Sequence, residues 1–219
     1  MRLAAAALMA LLATACAHRA KTLPLDASGF LEDYKLLRPG GPNELALVYR
    51  SPNVDWTWYD KVLLDPVTLW RSGQKSLAPV PREDLLRLVT DFQRAVRTRL
   101  GEDFHYVDRP GPGVMRIRLA ITEAKASDPV LDVLTASRGT GRPHPAGDGP
   151  LDAETRRFLA AASIEGEIRD AVTNVLLAEG IDRRPEDVPP HETWADLDRA
   201  FASWAQRVFG RIAARTHAH

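Results

Sequence analysis

Two segments of this 219-residue chain place apolar side chains along one face of a helix, and each of these faces needs a partner to cover it. In the first segment, residues 81–100, the apolar stripe consists of Leu85, Leu88, Val89, Phe92, Val96 and Leu100. In the second, which starts at Thr193, it consists of Trp194, Leu197, Phe201, Trp204, Val208 and Ile212. Apolar residues that recur every three or four positions are typical of an amphipathic helix. Two such helices predict a layered domain in which they cover one face of a sheet.

Several other segments alternate apolar and polar residues with the period of two that is typical of half-buried strands. This pattern predicts strands over residues 114–124, 163–172 and 175–182, of which the last two form a hairpin. A Val- and Leu-rich segment predicts a further strand over residues 61–70. Pro66 cannot donate a hydrogen bond to a neighbouring strand, so we expect this strand to bend there or to lie at an edge.

The order of these elements predicts the fold class, an α/β (α+β) protein with a single two-layer domain. We expect a mixed sheet of about five strands covered by the two amphipathic helices. The right-handed crossover rule places the strand over residues 61–70 parallel to a strand that follows the first helix. The domain is expected to span residues 29–216, with a long Gly- and Pro-rich loop near residues 127–152.

The first sixteen residues have the composition of an export signal. Arg2 precedes an apolar run over residues 3–12, which is too short for the ~20 residues that span a bilayer. Small residues follow and lead to Cys16, as in the signals of bacterial lipoproteins, which this segment resembles. Residues 1–15 are then a signal peptide, Cys16 is the lipidated residue, and residues 16–28 are a tether. The alternative is an ordinary signal peptide, because Ala-Thr-Ala also fits its cleavage site.

Cysteine usage agrees with lipidation, because Cys16 is the only cysteine in the chain. A single free thiol in an oxidising compartment is a liability, and attachment of a lipid removes it. Ala17 stands where an aspartate typically retains a bacterial lipoprotein at the inner membrane. We therefore predict an outer-membrane lipoprotein that faces the periplasm; the alternative signal would make the protein soluble in the periplasm.

Charge and motif content argue against several classes of partner. Lys and Arg number 29, as do Asp and Glu, so no basic bias favours nucleic acid. The six histidines include no pair at the i, i+4 spacing of a helical zinc site, and no metal or cofactor is predicted. The Gly-rich residues 138–142 lack the Lys-Ser/Thr ending of a phosphate-binding loop.

Two N-terminal stretches resemble a known family. They are FLEDYKLLRPG at residues 30–40 and YDKVLLDPV at residues 59–67. Residues 170–176 are similar to the Asp-x-x-Thr-Gly-x-x-Leu hairpin of the same family, with Asn174 in place of the glycine, and residues 194–205 resemble its closing helix. The family is DUF3313, uncharacterised bacterial lipoproteins. The resemblance implies a lipoprotein without an established activity and supplies no catalytic residues.

Three aromatic residues, Trp56, Trp58 and Tyr59, precede the strand over residues 61–70 and are candidate binding residues. They are suited to stacking on a sugar or to anchoring a protein partner. Alternatively, they pack beneath the last helix against its tryptophans, and we favour this core position.

Glu165 and Glu167 are the candidate acid/base pair, because they lie two residues apart on one strand face. The alternation places them opposite Ile164 and Ile168, and we expect that face to be solvated and the carboxyl groups to have near-normal acidity. Arg116 and Arg118 on a neighbouring strand are expected to face them in a cross-strand charge ladder.

The sequence therefore favours a lipid-anchored, non-enzymatic binding or assembly module of the cell envelope, with a protein, glycan or lipid partner. One alternative is a periplasmic enzyme that acts on an envelope substrate through Glu165 and Glu167. Another is a structural subunit that oligomerises through an open sheet edge.

Overall fold

A computed structural model of the protein describes residues 27–70, 80–123, 134–135, 148–183 and 191–218. Within these ranges the helices are α1 (Arg82–Leu100), α2 (Ala153–Ala161) and α3 (Trp194–Thr216). Pro81 precedes α1, and Glu83 and Asp84 in its first turn complement the helix dipole. Thr193 and Asp196 form the capping box that starts α3. Both long helices predicted from the apolar stripes are confirmed.

The strands, in chain order, are β1 (Arg38–Pro39), β2 (Leu47–Arg50), β3 (Lys61–Leu64), β4 (Thr68–Trp70), β5 (His105–Tyr106), β6 (Val114–Glu123), β7 (Leu134–Thr135), β8 (Ala162–Asp170) and β9 (Leu176–Arg183). They form one sheet of nine strands in the described residues, ordered β1-β2-β9-β8-β6-β3-β5, with β4 paired to β6 and β7. The mixed α+β fold is confirmed. The estimate of about five strands is too low because several strands have only two to four residues and leave little periodicity in the sequence.

Pro66 interrupts the segment that the sequence predicts as one strand. The chain forms β3 and β4 on either side of it, and both strands run parallel to β6. The predicted bend and the predicted parallel crossover through α1 are therefore both confirmed. The side chain of Gln93 from α1 accepts a hydrogen bond from the backbone N–H of Val67 at 3.0 Å, which satisfies a group that the bend removes from the sheet.

The main core lies between the sheet and the helices on one of its faces. Every residue of the α1 stripe is buried, and Phe92 contacts the rings of Phe201 and Trp204 with centroids 5.0 and 5.1 Å away. In α3 the predicted stripe is buried except for Val208, which is half-buried, and Phe209 is an additional core residue. This packing joins α1 to α3 and fixes α3 over β6, β8 and β9.

The opposite face of the sheet is covered by residues 28–37, which we call the N-terminal strap. Phe30, Leu31 and Leu37 of the strap form a second, smaller core with Ala120 and Ile181 of the sheet. The strap therefore makes a third layer over part of the domain. Most of the predicted long loop near residues 127–152 lies outside the described residues, which include only β7 and residues 148–152 of it.

The β8–β9 hairpin closes as predicted. Asp170 accepts hydrogen bonds from the backbone N–H groups of Val172 and Thr173 at 3.0 and 2.7 Å. Asn174 has a φ of 60°, a conformation that glycine and asparagine adopt most readily. Among the described residues, no helix is long and apolar enough to cross a membrane.

Candidate functional site

The structure places Glu165 and Glu167 in a buried position rather than on the solvated face that the alternation predicts. They do point away from Ile164 and Ile168, but their residues are only 2% and 1% exposed. The expectation of a solvated face is wrong because the N-terminal strap covers it. A period of two shows which residues share a sheet face and carries no information about what lies above that face.

Glu165 holds the strap to the sheet through Tyr34. The Tyr34 hydroxyl donates a hydrogen bond to Glu165 Oε2 at 2.7 Å and accepts from the backbone N–H groups of Gly29, Phe30 and Leu31 at 3.0–3.2 Å. The second oxygen of Glu165 accepts a bond from the Thr122 hydroxyl at 3.0 Å. The single Tyr34 hydroxyl thus supplies hydrogen bonds both to the backbone of the strap and to the buried carboxyl group of Glu165.

Glu167 is bound by two arginines. Arg118 on β6 lies directly opposite it and forms an ion pair with Oε1, so the predicted cross-strand ladder is confirmed for this pair. Arg169 contacts Glu167 Oε2 and also bonds Glu32 of the strap, at 3.0 and 2.9 Å. Arg116, the other predicted member, pairs with Asp65 at 2.8 Å instead.

Glu179 is a third buried carboxyl group on the same face, and sequence analysis did not single it out. It lies opposite Glu167 in the register of β8 and β9 and is 3% exposed. Neither of its carboxyl oxygens has a hydrogen-bond partner in the described part of the chain. Desolvation, followed by the charge of Glu167, raises its pKa to about 7, against the opposing effect of Arg169.

The pKa of Glu165 is also raised, chiefly by desolvation, although hydrogen bonds from Tyr34, Ser28 and Thr122 oppose the shift. The expectation of near-normal acidity is therefore wrong for this group. The polar pocket next to Glu167 is lined by Glu32, Arg116, Arg118, Arg169 and Asn174, and Glu165 is not part of it. The two predicted acid/base residues consequently do not share a cleft.

We expect the raised pKa of Glu179 to make stability depend on pH. Between pH 4.5 and about 7, the Glu179 carboxyl group is protonated in the folded protein but ionised in the unfolded chain. Its contribution to stability is therefore complete below pH 4.5, the ordinary pKa of a glutamate, and is lost as pH rises through about 7. Between about pH 5 and pH 8, the free energy of unfolding of the wild-type protein should fall by on the order of 1–3 kcal/mol more than that of Glu179→Gln. The neutral amide of this variant resembles the protonated carboxyl group and does not titrate. Urea unfolding at a series of pH values measures this; parallel curves for the two proteins would contradict it.

The three predicted aromatic residues occupy different environments. A short 3₁₀ helix, Trp56–Trp58, packs against α3, with Trp56 half-buried against the main core. Tyr59 is buried and its hydroxyl lies 3.1 Å from Asp170 Oδ2. Trp58 is 62% exposed, and the hairpin next to Tyr59 carries two further exposed residues, Val172 and Val175. The structure thus leaves Trp58 accessible to a partner, and its binding role stays a prediction.

An apolar pocket lies between α3 and the sheet. Its walls are apolar side chains of both layers, which include Leu45, Val48, Leu119, Trp204, Val208 and Ile212. Its floor contains Gly166 and Gly180, which are paired across β8 and β9. A Cβ atom at these glycines would lie 2.6 Å from Leu119 Cδ2 and 2.5 Å from Leu45 Cδ1, so either substitution would displace a leucine side chain that lies on the sheet. The pocket has a volume of about 70 Å³.

Four arginines surround this pocket: Arg50, Arg207, Arg211 and Arg215. Glu44 bonds Arg50 at 2.6 Å and Arg211 at 3.3 Å, and Asp182 bonds Arg207 at 2.6 Å. Two carboxylates therefore face four guanidinium groups, which leaves an excess positive charge at the rim. Sequence analysis missed this pocket; the available signals were the spacing of Arg207, Arg211 and Arg215 at every fourth position of α3 and a glycine in each hairpin strand.

A wider groove of about 650 Å³ continues from the pocket and shares Asn43, Glu44, Trp204 and Arg207 with it. Trp204 lies at the junction of the two spaces. Its indole Nε1–H is buried and has no hydrogen-bond partner in the described residues. A metal is not indicated, since no group of three or more His, Cys, Asp or Glu in those residues could hold one.

Fold and site together define a single α+β domain with a strap-covered polar sheet face and a cation-rimmed apolar pocket beneath its last helix. The chain belongs to the family described as "Protein of unknown function (DUF3313)", which matches residues 26–208. This match confirms the resemblance found in the N-terminal stretches. No curated protein matches the sequence at a significant level.

Two solved structures of a PelC dodecamer from Paraburkholderia phytofirmans are similar to parts of the chain. The first, a variant in space group C2, has a TM-score of 0.33 and 9% identity over 75% of this chain and 93% of that chain. The second, in space group P6, has a TM-score of 0.28 and 10% identity over 78% and 96%. Similarity at this level supports no inference about fold, assembly or activity.

Proposed function

We propose that this protein is a lipid-anchored, non-enzymatic binding module of the bacterial cell envelope that holds an apolar ligand beneath α3. The observation that carries the proposal is the apolar pocket with an arginine rim. Protein interiors are close-packed, so an open apolar space between a helix and a sheet, with charged groups at its edge, supports a site for a small ligand.

An enzyme that uses Glu165 and Glu167 has weaker support. Glu165 is occupied by Tyr34 and Thr122, and Glu167 by Arg118 and Arg169. A general acid or base needs a reacting group within hydrogen-bond reach, and these carboxyl groups lie beneath the strap. Their contacts suit a role in holding the strap to the sheet.

The proposed anchor is Cys16, which lies outside the described residues with the rest of the predicted signal and most of the tether. The strap begins where this tether ends. There the indole N–H of Trp70 donates a hydrogen bond to the carbonyl oxygen of Ser28 at 3.0 Å. The tether would thus lead from the outer membrane directly to the sheet, with the pocket on the opposite face.

Cys16→Ser is expected to abolish lipidation and to move the protein from the membrane to the soluble periplasmic fraction, because the acyl chains supply the membrane affinity. Fractionation of cells and mass spectrometry of the mature N-terminus measure both effects. Wild-type protein without an acyl group at Cys16 would contradict the anchor and favour the alternative, a soluble periplasmic protein.

Filling the pocket is expected to abolish binding of an apolar probe. Val208 is half-buried at the pocket wall, and in Val208→Trp the indole occupies the space that an alkyl chain would take. Binding of octanol to detergent-free Cys16→Ser protein should weaken about tenfold or more in calorimetric titration.

The matched control is Ala214→Trp, because Ala214 is an exposed residue of the same helix outside the pocket lining. This variant should bind octanol as the parent protein does. Equal affinity in both tryptophan variants would refute the pocket as the ligand site, as would a parent protein that binds neither octanol nor octanoate.

A further inference from the structure

The rim of the pocket indicates which class of apolar ligand it takes. The residues that line the interior are apolar, whereas Arg50, Arg207, Arg211 and Arg215 lie around the mouth. We infer that the pocket binds a single-chain anionic amphiphile, with the chain in the pocket and the anionic headgroup on the arginines of α3. This inference rests on the proposed function and adds the chemistry of the headgroup.

The charges at the mouth support an anion. Arg50 and Arg211 share one carboxylate, Glu44, and Arg207 is paired with Asp182. Arg215 is exposed and has no acidic partner among the described residues. Arg215 lies one helical turn from Arg211, which has only a shared carboxylate, so a carboxylate or phosphate between the two arginines could accept hydrogen bonds from both.

The size of the pocket supports one chain. On the measure in which a water molecule needs about 10–15 Å³, a volume of about 70 Å³ holds about five water-sized groups, and a methylene group is of similar size. About five carbons of a chain therefore fill the pocket, and the outer carbons of a longer chain such as an octyl group would lie in the adjoining groove. The pocket itself has no room for a second chain, so the proposed ligand is a single-chain monomer.

The fixed backbone around the rim suits a preformed site. Arg207 donates a hydrogen bond to the carbonyl oxygen of Glu44 at 3.1 Å, and Arg211 donates to that of Pro42 at 3.1 Å. These bonds hold the turn before β2 against α3 and keep the mouth in one shape. Ordering of the rim before binding reduces the entropy that a ligand must overcome.

The test uses the detergent-free Cys16→Ser protein and calorimetric titration with four octyl probes below their micelle-forming concentrations. The probes are octanoate, octyl phosphate, octanol and octylammonium, with acetate as a headgroup without a chain. Octanoate and octyl phosphate should each bind about tenfold more tightly than octanol, and octylammonium and acetate should bind more weakly than octanol. A preference between the two anions would then distinguish a carboxylate ligand from a phosphate ligand.

Arg215→Gln should weaken octanoate binding about tenfold and leave octanol binding unchanged, because Arg215 makes no ion pair among the described residues and is not part of the bonds that shape the mouth. Arg199→Gln is the matched control, since Arg199 is an exposed residue of α3 that does not line the pocket. The salt dependence of octanoate binding is a second measure, because an ionic contact between the headgroup and the arginines weakens as the salt concentration rises.

The outcomes separate the two proposals. Octanol that binds as tightly as octanoate, or octanoate binding that is insensitive to both salt and the Arg215→Gln substitution, would overturn the anionic headgroup while leaving the pocket as a ligand site. Binding of none of the octyl probes would overturn both. Binding to anionic vesicles without binding to any free octyl probe would overturn the monomeric ligand and indicate a membrane-surface role for the arginines.

Discussion

Replacing Phe92 with alanine is expected to lower the free energy of unfolding by about 3–5 kcal/mol. Phe92 is fully buried and its ring contacts Phe201 and Trp204 of α3, so it joins the two long helices. Truncation removes the buried ring surface and leaves a cavity that its aromatic neighbours cannot fill without moving. Chemical unfolding followed by circular dichroism measures the change.

Leu86→Ala is the control, because Leu86 lies on the same helix but is 38% exposed. Truncation of the Leu86 side chain should lower the free energy of unfolding by less than about 1 kcal/mol. A loss of similar size in both variants would mean that helix propensity, rather than the packing of α1 on α3, accounts for the effect. A loss below about 1 kcal/mol in Phe92→Ala would contradict the core described above.

Tyr34→Phe is expected to lower the free energy of unfolding by about 2–3 kcal/mol, although it deletes a single oxygen atom. The change removes the acceptor of the Gly29 and Leu31 N–H groups, and it leaves the Phe30 N–H with only the Ser28 hydroxyl. It also removes a donor from the buried carboxyl group of Glu165. Unpaired buried polar groups bear their full desolvation cost. We also expect faster amide hydrogen exchange in the strap, with exchange in α1 nearly unchanged.

Tyr49→Phe removes the same atom from another tyrosine that packs beneath the strap. No hydrogen bond of the Tyr49 hydroxyl is found in the described residues, so this variant should change stability by less than about 0.5 kcal/mol. Equal losses in the two variants would show that the Tyr34 hydroxyl does not hold the strap. Unchanged hydrogen exchange in Tyr34→Phe would lead to the same conclusion.

The Tyr34 contacts give a physical reason for the FLEDY stretch that first indicated the family. Phe30 and Leu31 pack on the sheet, Glu32 bonds Arg169, and Tyr34 reaches Glu165. Asp33 caps the short 3₁₀ turn through the backbone N–H of Lys35 at 2.9 Å. Each side chain of the stretch therefore contributes to fixing the strap.

The helices and the longer strands could be predicted from the sequence because their signals are local. The stripe that contains Phe92 has helical periodicity, and β6 and β8 alternate apolar and polar residues along their length. Pro66 indicated the bend between β3 and β4, and Asp170 indicated the hairpin turn, because the stereochemistry of each acts within a few residues. The strands β1, β5 and β7, each of two residues, contain too few positions to show a period.

The burial of Glu165 could not be predicted in this way. Its partner Tyr34 lies 131 residues earlier in the chain, and the alternation of β8 is the same whether water or a strap covers the face. The pocket has the same origin: Gly166 and Gly180 become a floor only when β8 pairs with β9 and α3 packs above them. Local periodicity determines which face a side chain occupies, whereas contacts between distant segments determine what covers that face, and both the strap and the pocket depend on those contacts.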